Sequence, residues 1–140
     1  RQLEAGTAVF ERQDSTFVTL SPKILREAGV IDWSQSSREI DCHIRAMQPW
    51  PKASSVLHRH DQPPLRCIVS QVSHVADESL SAGHETPGAL LEHHSRLLVR
   101  SGDGWLEILK LQPEGRKATD GRSFINGYSL KKGDRFAAAE

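Results

Sequence analysis

Ser101-Gly102-Asp103-Gly104 separates two runs whose apolar residues fall on alternate positions, and this feature most limits the fold. Before it, Leu97 and Val99 alternate with Leu98 and Arg100; after it, Trp105 to Leu111 forms a return strand. A side-chain period of two is the pattern of a strand with one face buried, and a short glycine-rich break between two such runs predicts an antiparallel hairpin. Glycine suits the turn because it tolerates positive φ. Upstream, Leu65, Cys67 and Val69 alternate with Arg66, Ile68 and Ser70, and Gly88-Ala89-Leu90-Leu91 starts another strand. Residues 53–112 are therefore a set of short antiparallel strands, spaced too closely for βαβ units. A small barrel or curled sheet is expected. Residues 76–87, poor in apolar side chains, read as a surface loop.

Helical signals flank the strands. Residues 1–6 read as a helix end closed by Gly6, and 7–20 as an extended connector with one edge strand. Residues 21–29 read as a short helix, with Ser21 as cap, Pro22 in its first turn and Gly29 as its close. Ser36 and Glu39 have the S-x-x-E spacing of a capping box. Ile40, Ile44 and Met47 then share one helix face, Asp41 and Arg45 have i,i+4 spacing, and Pro49 ends the run. A last helix is expected from Thr119 or Asp120 to about Asn126, stopped by Gly127, with Phe124 and Ile125 packed on the sheet. Internal repeats and low-complexity tracts are absent.

Composition narrows the class. The 140 residues are 37% hydrophobic and 26% charged. That is enough for one core, and no apolar run approaches the ~20 residues of a membrane span. The net charge is zero but uneven: +1 over residues 1–66, −4 over 67–109 and +3 over 110–140. This balance argues against indiscriminate coating of nucleic acid and leaves room for a local basic face. The chain starts at Arg1 without a signal segment, so a piece of a longer polypeptide is expected. Cys42 and Cys67, in no CxxC arrangement, read as reduced, half-buried thiols of a cytosolic protein.

Nucleophile elbows, phosphate-binding glycine loops and dinucleotide motifs are all missing. His58 and His60 would share a strand face, and His93-His94 form a second cluster. No cysteine or carboxylate lies at a useful spacing, so solvated histidines are expected and no metal site. Arg116, Lys117, Lys131, Lys132 and Arg135 have two readings left open by the residues alone: a solvated surface or contacts to phosphates. Trp50, between two prolines, reads first as a packing anchor and second as a stacking platform for an unpaired base.

Longer motifs carry a family resemblance. Pro22-Lys23-Ile24, Ile31-Asp32-Trp33, Ile44-Arg45-Ala46, Pro49-Trp50-Pro51 and Ala53 follow one another in order. A second block holds Leu111-Gln112-Pro113-Glu114-Gly115-Arg116-Lys117, then Ser123-Phe124-Ile125-Asn126-Gly127, then Gly133-Asp134-Arg135-Phe136. Together they resemble the C-terminal domain of methionyl-tRNA formyltransferases; residues 54–86 match poorly. The resemblance implies a mainly β fold with short helices, a small antiparallel β-barrel similar to an OB-fold and preceded by two helices. It implies an interdomain linker over 1–20, the barrel domain over 21–136 and a tail over 137–140.

As to activity, the resemblance implies partners in initiator methionyl-tRNA and in an N-terminal formyltransferase domain of the same chain. That domain would use 10-formyltetrahydrofolate and carry the catalytic Asn, His and Asp, the His in an H-x-S-L-L-P run. No such run occurs here, so these residues alone are expected to transfer no formyl group and to hold no cofactor. A cytoplasmic, monomeric protein without membrane attachment is expected. The candidate tRNA-binding residues are Lys23 and Arg26 on the first helix, Arg45, Arg116, Lys117, Lys131 and Lys132. A structural role for Arg45, holding the Pro49–Pro51 turn, is the stronger of its two readings. Asp32 reads as a helix-start cap and Trp33 as a core aromatic. The rival readings are a sugar-nucleotide formyltransferase or the hydrolase part of 10-formyltetrahydrofolate dehydrogenase, a stand-alone RNA-binding barrel, and a structural domain that dimerises.

Overall fold

The computed structural model describes residues 1–76, 80 and 85–137. The middle of the expected surface loop and the tail from 138 lie outside the described residues. Helix α1 spans Ser37–Ala46 and begins with the expected capping box: Ser36 Oγ accepts from Glu39 N, and the Glu39 carboxylate accepts from Ser36 N at 3.0 Å. Its Ile40 and Ile44 are buried and Met47 packs beside them. Its first-turn donors are also met from outside, because Asp103 Oδ1 accepts from Ser37 N at 2.7 Å and from Ser37 Oγ at 2.9 Å.

Among the described residues there are seven strands: β1 Ser54–His58, β2 Leu65–His74, β3 Leu90–His93, β4 Arg96–Arg100, β5 Trp105–Pro113, β6 Thr119–Asp120 and β7 Arg135–Ala137. They form one sheet in the order β3-β4-β5-β2-β1-β7, with β6 beside β5, and every pair is antiparallel. The two ends of this order also meet. Ala89 bridges Arg135, Phe136 N donates to Gly88 O at 2.8 Å, and Leu90 N donates to Asp134 O at 3.1 Å. These bonds curl the sheet back on itself around a core that includes Leu57, Cys67, Val69, Leu97, Leu106, Leu111, Phe124 and Phe136. The mainly β class with short helices therefore holds.

Alternation along β2 changes phase. Cys67 and Val69 face the core, then a bulge around Gln71 brings Val72 inward. The β4–β5 turn sits at Ser101–Gly104 as expected, with Ser101 N bonded to Gly104 O at 2.9 Å, but the reason for its glycines differs. Neither Gly102 nor Gly104 has positive φ. Gly102 is needed because a Cβ there would strike the Ser34 carbonyl, which passes directly against it. The β3–β4 turn instead places two side-chain-bearing residues, His94 and Ser95, at φ 51° and 61°.

Helix α2, Gly121–Tyr128, is capped by Asp120, whose Oδ1 accepts from Ser123 N at 2.8 Å. It runs through Gly127 to Ser129, which closes it at φ 48°. The extra length lets the Tyr128 ring stack on Phe124, four residues earlier, with centroids 4.3 Å apart. Phe124 and Ile125 are buried as expected.

The N-terminal segment departs most from expectation. Residues 21–29 hold only a 3₁₀ turn at Arg26–Gly29, preceded by extended Leu25, and Ser21 and Pro22 start no helix. Ile24 and Leu25 are 50% and 61% exposed, so no buried face repays helix nucleation there. Residues 7–20 contain no strand; one 3₁₀ turn, Ser15–Phe17, is capped by Asp14. Residues 1–7 do make a helical turn, with the closing bonds Thr7 N to Gln2 O and Gly6 N to Leu3 O, and Gly6 at φ 65°.

Candidate nucleic-acid interface

The sequence candidates fall into three groups. Arg116 and Lys117 project from the turn between β5 and β6. That turn is held by Arg116 N to Pro113 O at 3.0 Å and by Gln112 Nε2 to Arg116 O at 2.8 Å. They line a cleft of about 380 Å³ against α2, together with Thr119, Ser123 and Tyr128. Both side chains are exposed, and neither has an ion-pair partner among the described residues.

Lys131 and Lys132 form the second group, on the turn between α2 and β7. Buried Asp134 fixes this turn: its Oδ2 accepts from Lys131 N at 2.9 Å and its Oδ1 from His60 N at 3.3 Å. With Arg135 the two lysines line a larger cleft of about 650 Å³, whose walls also include Glu85, Glu92 and Trp105. The two clefts differ in charge. The lysines share theirs with carboxylates, whereas no acid is among the described residues lining the Arg116–Lys117 cleft, and Asp120 at its edge is engaged by Ser123.

Lys23, Arg26 and Arg45 make the third group and line neither cleft. Lys23 and Arg26 stand exposed on the extended segment and its 3₁₀ turn, not on a helix. Arg45 donates to Asp41 at 3.2 Å and, through Nη2, to Cys42 Sγ at 3.3 Å. The hydrogen bond to Asp41 and that residue's charge raise the Arg45 pKa. Arg45 therefore does not hold the Pro49–Pro51 turn. Lys52 N to Met47 O at 2.8 Å closes that turn, and buried Pro51 packs it. Trp50, read first as a packing anchor, is 61% exposed, because Pro51 takes the inward place beside Gly29.

The remaining residues resolve as follows. Trp33 is core, 4% exposed, with its indole N–H on Ser55 Oγ. Asp32 caps the turn ahead of α1, accepting from Ser34 N at 2.9 Å, while Ser36 caps the helix itself. Cys42 is exposed and Cys67 fully buried, so neither is half-buried, and both are free. His60 pairs with Asp61 at 3.1 Å, and the His93 and His94 rings meet edge-on. Among the described residues no group of three or more His, Cys, Asp or Glu could hold a metal ion. No helix among the described residues is long and apolar enough to cross a membrane.

Sequence reading missed Arg59. It lies between two histidines and invites a metal interpretation, yet its guanidinium carbon sits 5.3 Å from the centre of the Tyr128 ring. Nothing local signals this contact, since the two residues meet only through the fold.

An antiparallel sheet with two short helices thus carries one cation-lined cleft against α2 and a second on the turn that follows it. The sequence matches the formyl transferase C-terminal domain over residues 23–129, and the chain belongs to that family. It is 36% identical over 137 residues to a methionyl-tRNA formyltransferase of Rhodopirellula baltica, covering 97% of this chain and 40% of that protein. It is 38% identical to the methionyl-tRNA formyltransferase of Solibacter usitatus and 28% identical to that of Chlamydia pneumoniae, again spanning 40% of each. The chain thus spans about 40% of the length of the curated relatives it matches.

Proposed function

We propose that this chain is the RNA-facing part of a methionyl-tRNA formyltransferase. In this reading it holds initiator methionyl-tRNA while a separate domain of the same polypeptide transfers the formyl group from 10-formyltetrahydrofolate. The observation that carries the reading is coverage: almost the whole chain aligns with a fixed fraction of relatives so named, and the family is their C-terminal domain. Formylation needs the methionyl amine held close to the formyl carbon, which is a positioning problem. Cations on a second domain help solve it by gripping phosphates, contacts that orient a nucleic acid without reading its sequence.

On this basis residues 1–20 serve as an interdomain linker and 21–136 as the tRNA-binding domain. The curled sheet, similar to an OB-fold, offers α2 and its flanking turns to the RNA in a cytoplasmic, monomeric enzyme. Arg116, Lys117, Lys131 and Lys132 are the strongest contacts by placement; Lys23, Arg26 and Arg45 would act only if the RNA also reached the N-terminal segment. The test is formyl transfer to initiator methionyl-tRNA by the full-length polypeptide. Charge removal at the four cations should raise KM for the tRNA with little change in KM for the formyl donor. Equal effects on both would sink the assignment.

A further inference from the structure

We infer that Arg59 is a phosphate-binding residue, completing with Arg116 and Lys117 a site for the sugar-phosphate backbone of RNA. Arg59 is half-buried, and its Nε is buried without a hydrogen-bond partner among the described residues. No carboxylate pairs with it there. Asp61, two residues on, pairs with His60 at 3.1 Å, and the Asp134 oxygens accept from the backbone N–H groups of His60 and Lys131. Folded proteins seldom bury a guanidinium N–H without an acceptor, because the lost hydration must be replaced, and the partly exposed remainder of the fork is what a ligand can reach. The face of Tyr128, 5.3 Å away, steadies the cation without accepting from its fork of N–H groups.

The missing acceptor is supplied from outside. Tyr128, stacked on Phe124, is also a wall of the Arg116–Lys117 cleft. Arg59 therefore stands beside a cleft that holds two cations without an ion-pair partner among the described residues; the described lining contains no acid, and Asp120 at its edge is engaged by the Ser123 hydroxyl and N–H. A phosphate fits these cations: guanidinium binds it in two parallel hydrogen bonds, and the lysine ammonium donates to a remaining oxygen. Three cations grouped about Tyr128 suit successive phosphates of a strand better than a single small anion. This inference rests on the RNA-binding reading above.

The test is fluorescence anisotropy of the full-length polypeptide with labelled tRNA across a salt series. Arg59→Gln should weaken binding about tenfold at low salt and reduce the salt slope by about 0.7–0.9, one lost phosphate contact. Arg59→Lys, which keeps the charge, should restore the slope. If Arg59→Gln does not fold, Arg59→Met, which preserves the packing stem, carries the same expectation. Tight tRNA binding with wild-type affinity and slope in the variant overturns the inference and leaves the RNA-binding reading intact. No tRNA binding by the wild type overturns both. Thermal melts with inorganic pyrophosphate separate the two sources of phosphate. Stabilisation that depends on Arg59, with tRNA binding indifferent to it, overturns the RNA assignment in favour of a free anion.

Discussion

Trp33 donates its indole N–H to Ser55 Oγ at 3.0 Å, and the Ser55 hydroxyl in turn donates to Ala137 O. One short relay thus joins the segment before α1 to β1 and to the last strand. The Trp33 ring also stacks on Phe136, with centroids 5.8 Å apart. Trp33→Ala should destabilise the fold by about 3–5 kcal/mol, the usual loss for a buried large aromatic. Ser55→Ala removes almost no volume but strands a buried donor and acceptor, for about 1–3 kcal/mol. Urea unfolding of the two variants checks both figures. A Ser55→Ala midpoint equal to wild type would mean that water replaces the relay.

The Asp103 carboxyl, first through the Ser37 backbone N–H and then through the Ser37 hydroxyl, is held below the ordinary carboxylate pKa. Its pKa is depressed in the folded state, so its contribution is present above the ordinary value of about 4 and is lost as pH falls through the folded one. Asp103→Asn should therefore lower the urea midpoint at neutral pH, and the gap from wild type should narrow below about pH 4. A gap constant with pH would show that the ionised form is not what stabilises the start of α1.

Gly102 and Gly104 share a turn but meet different surroundings. A Cβ on Gly102 would strike the Ser34 carbonyl, while one on Gly104 would meet only Ser37 Oγ at 3.5 Å. Gly102→Ala should destabilise by about 1–3 kcal/mol, since backbone must move to make room. Gly104→Ala should be near neutral, within about 0.5 kcal/mol. Thermal melts of the pair decide it; equal effects would place the constraint in backbone conformation instead.

Local features were the legible ones. The capping box at Ser36 and Glu39, the turn at Ser101–Gly104 and the alternation through Leu65, Cys67 and Val69 depend on residues a few positions apart. Long-range features were not legible. The meeting of Ala89 with Arg135 and the seating of Arg59 on Tyr128 leave no periodic trace. The 21–29 helix failed because cap and glycine signals say where a helix can start and stop, not whether a core awaits its apolar face. Trp50 misled for a related reason: its aromatic area promises burial, but the neighbouring Pro51 occupies the place beneath Gly29. Of the site, residue types were readable while grouping was not. Only the fold separates an acid-free cleft at Arg116 and Lys117 from an acid-bearing one at Lys131 and Lys132.

The two cysteines should differ sharply in reactivity. Burial pushes the Cys67 thiol up to about 12, against a smaller opposing effect of the Arg59 charge, while Cys42 is exposed on α1. The thiolate is the reacting form, so Cys67 should be silent in the native state. A disulfide-exchange reagent should label Cys42 alone at neutral pH and Cys67 only on unfolding. Rapid labelling of Cys67 in the native protein would show that the sheet around it opens readily.

Lys131 and Lys132 test the RNA face where it is least obvious. Their turn is set by the buried Asp134 carboxylate acting on backbone, so replacing both side chains with Ala should leave stability within about 0.5 kcal/mol of wild type. Glu85 and Glu92 in the same cleft offset part of their field, so they can contribute to RNA binding only by reaching phosphates directly. If each does, the double variant should bind tRNA more weakly and lose about 0.7–0.9 of salt slope per lysine. Binding measured across a salt series reads this directly. An unchanged slope would remove both lysines from the interface and leave the acid-free cleft at Arg116 and Lys117 as the surface that meets RNA.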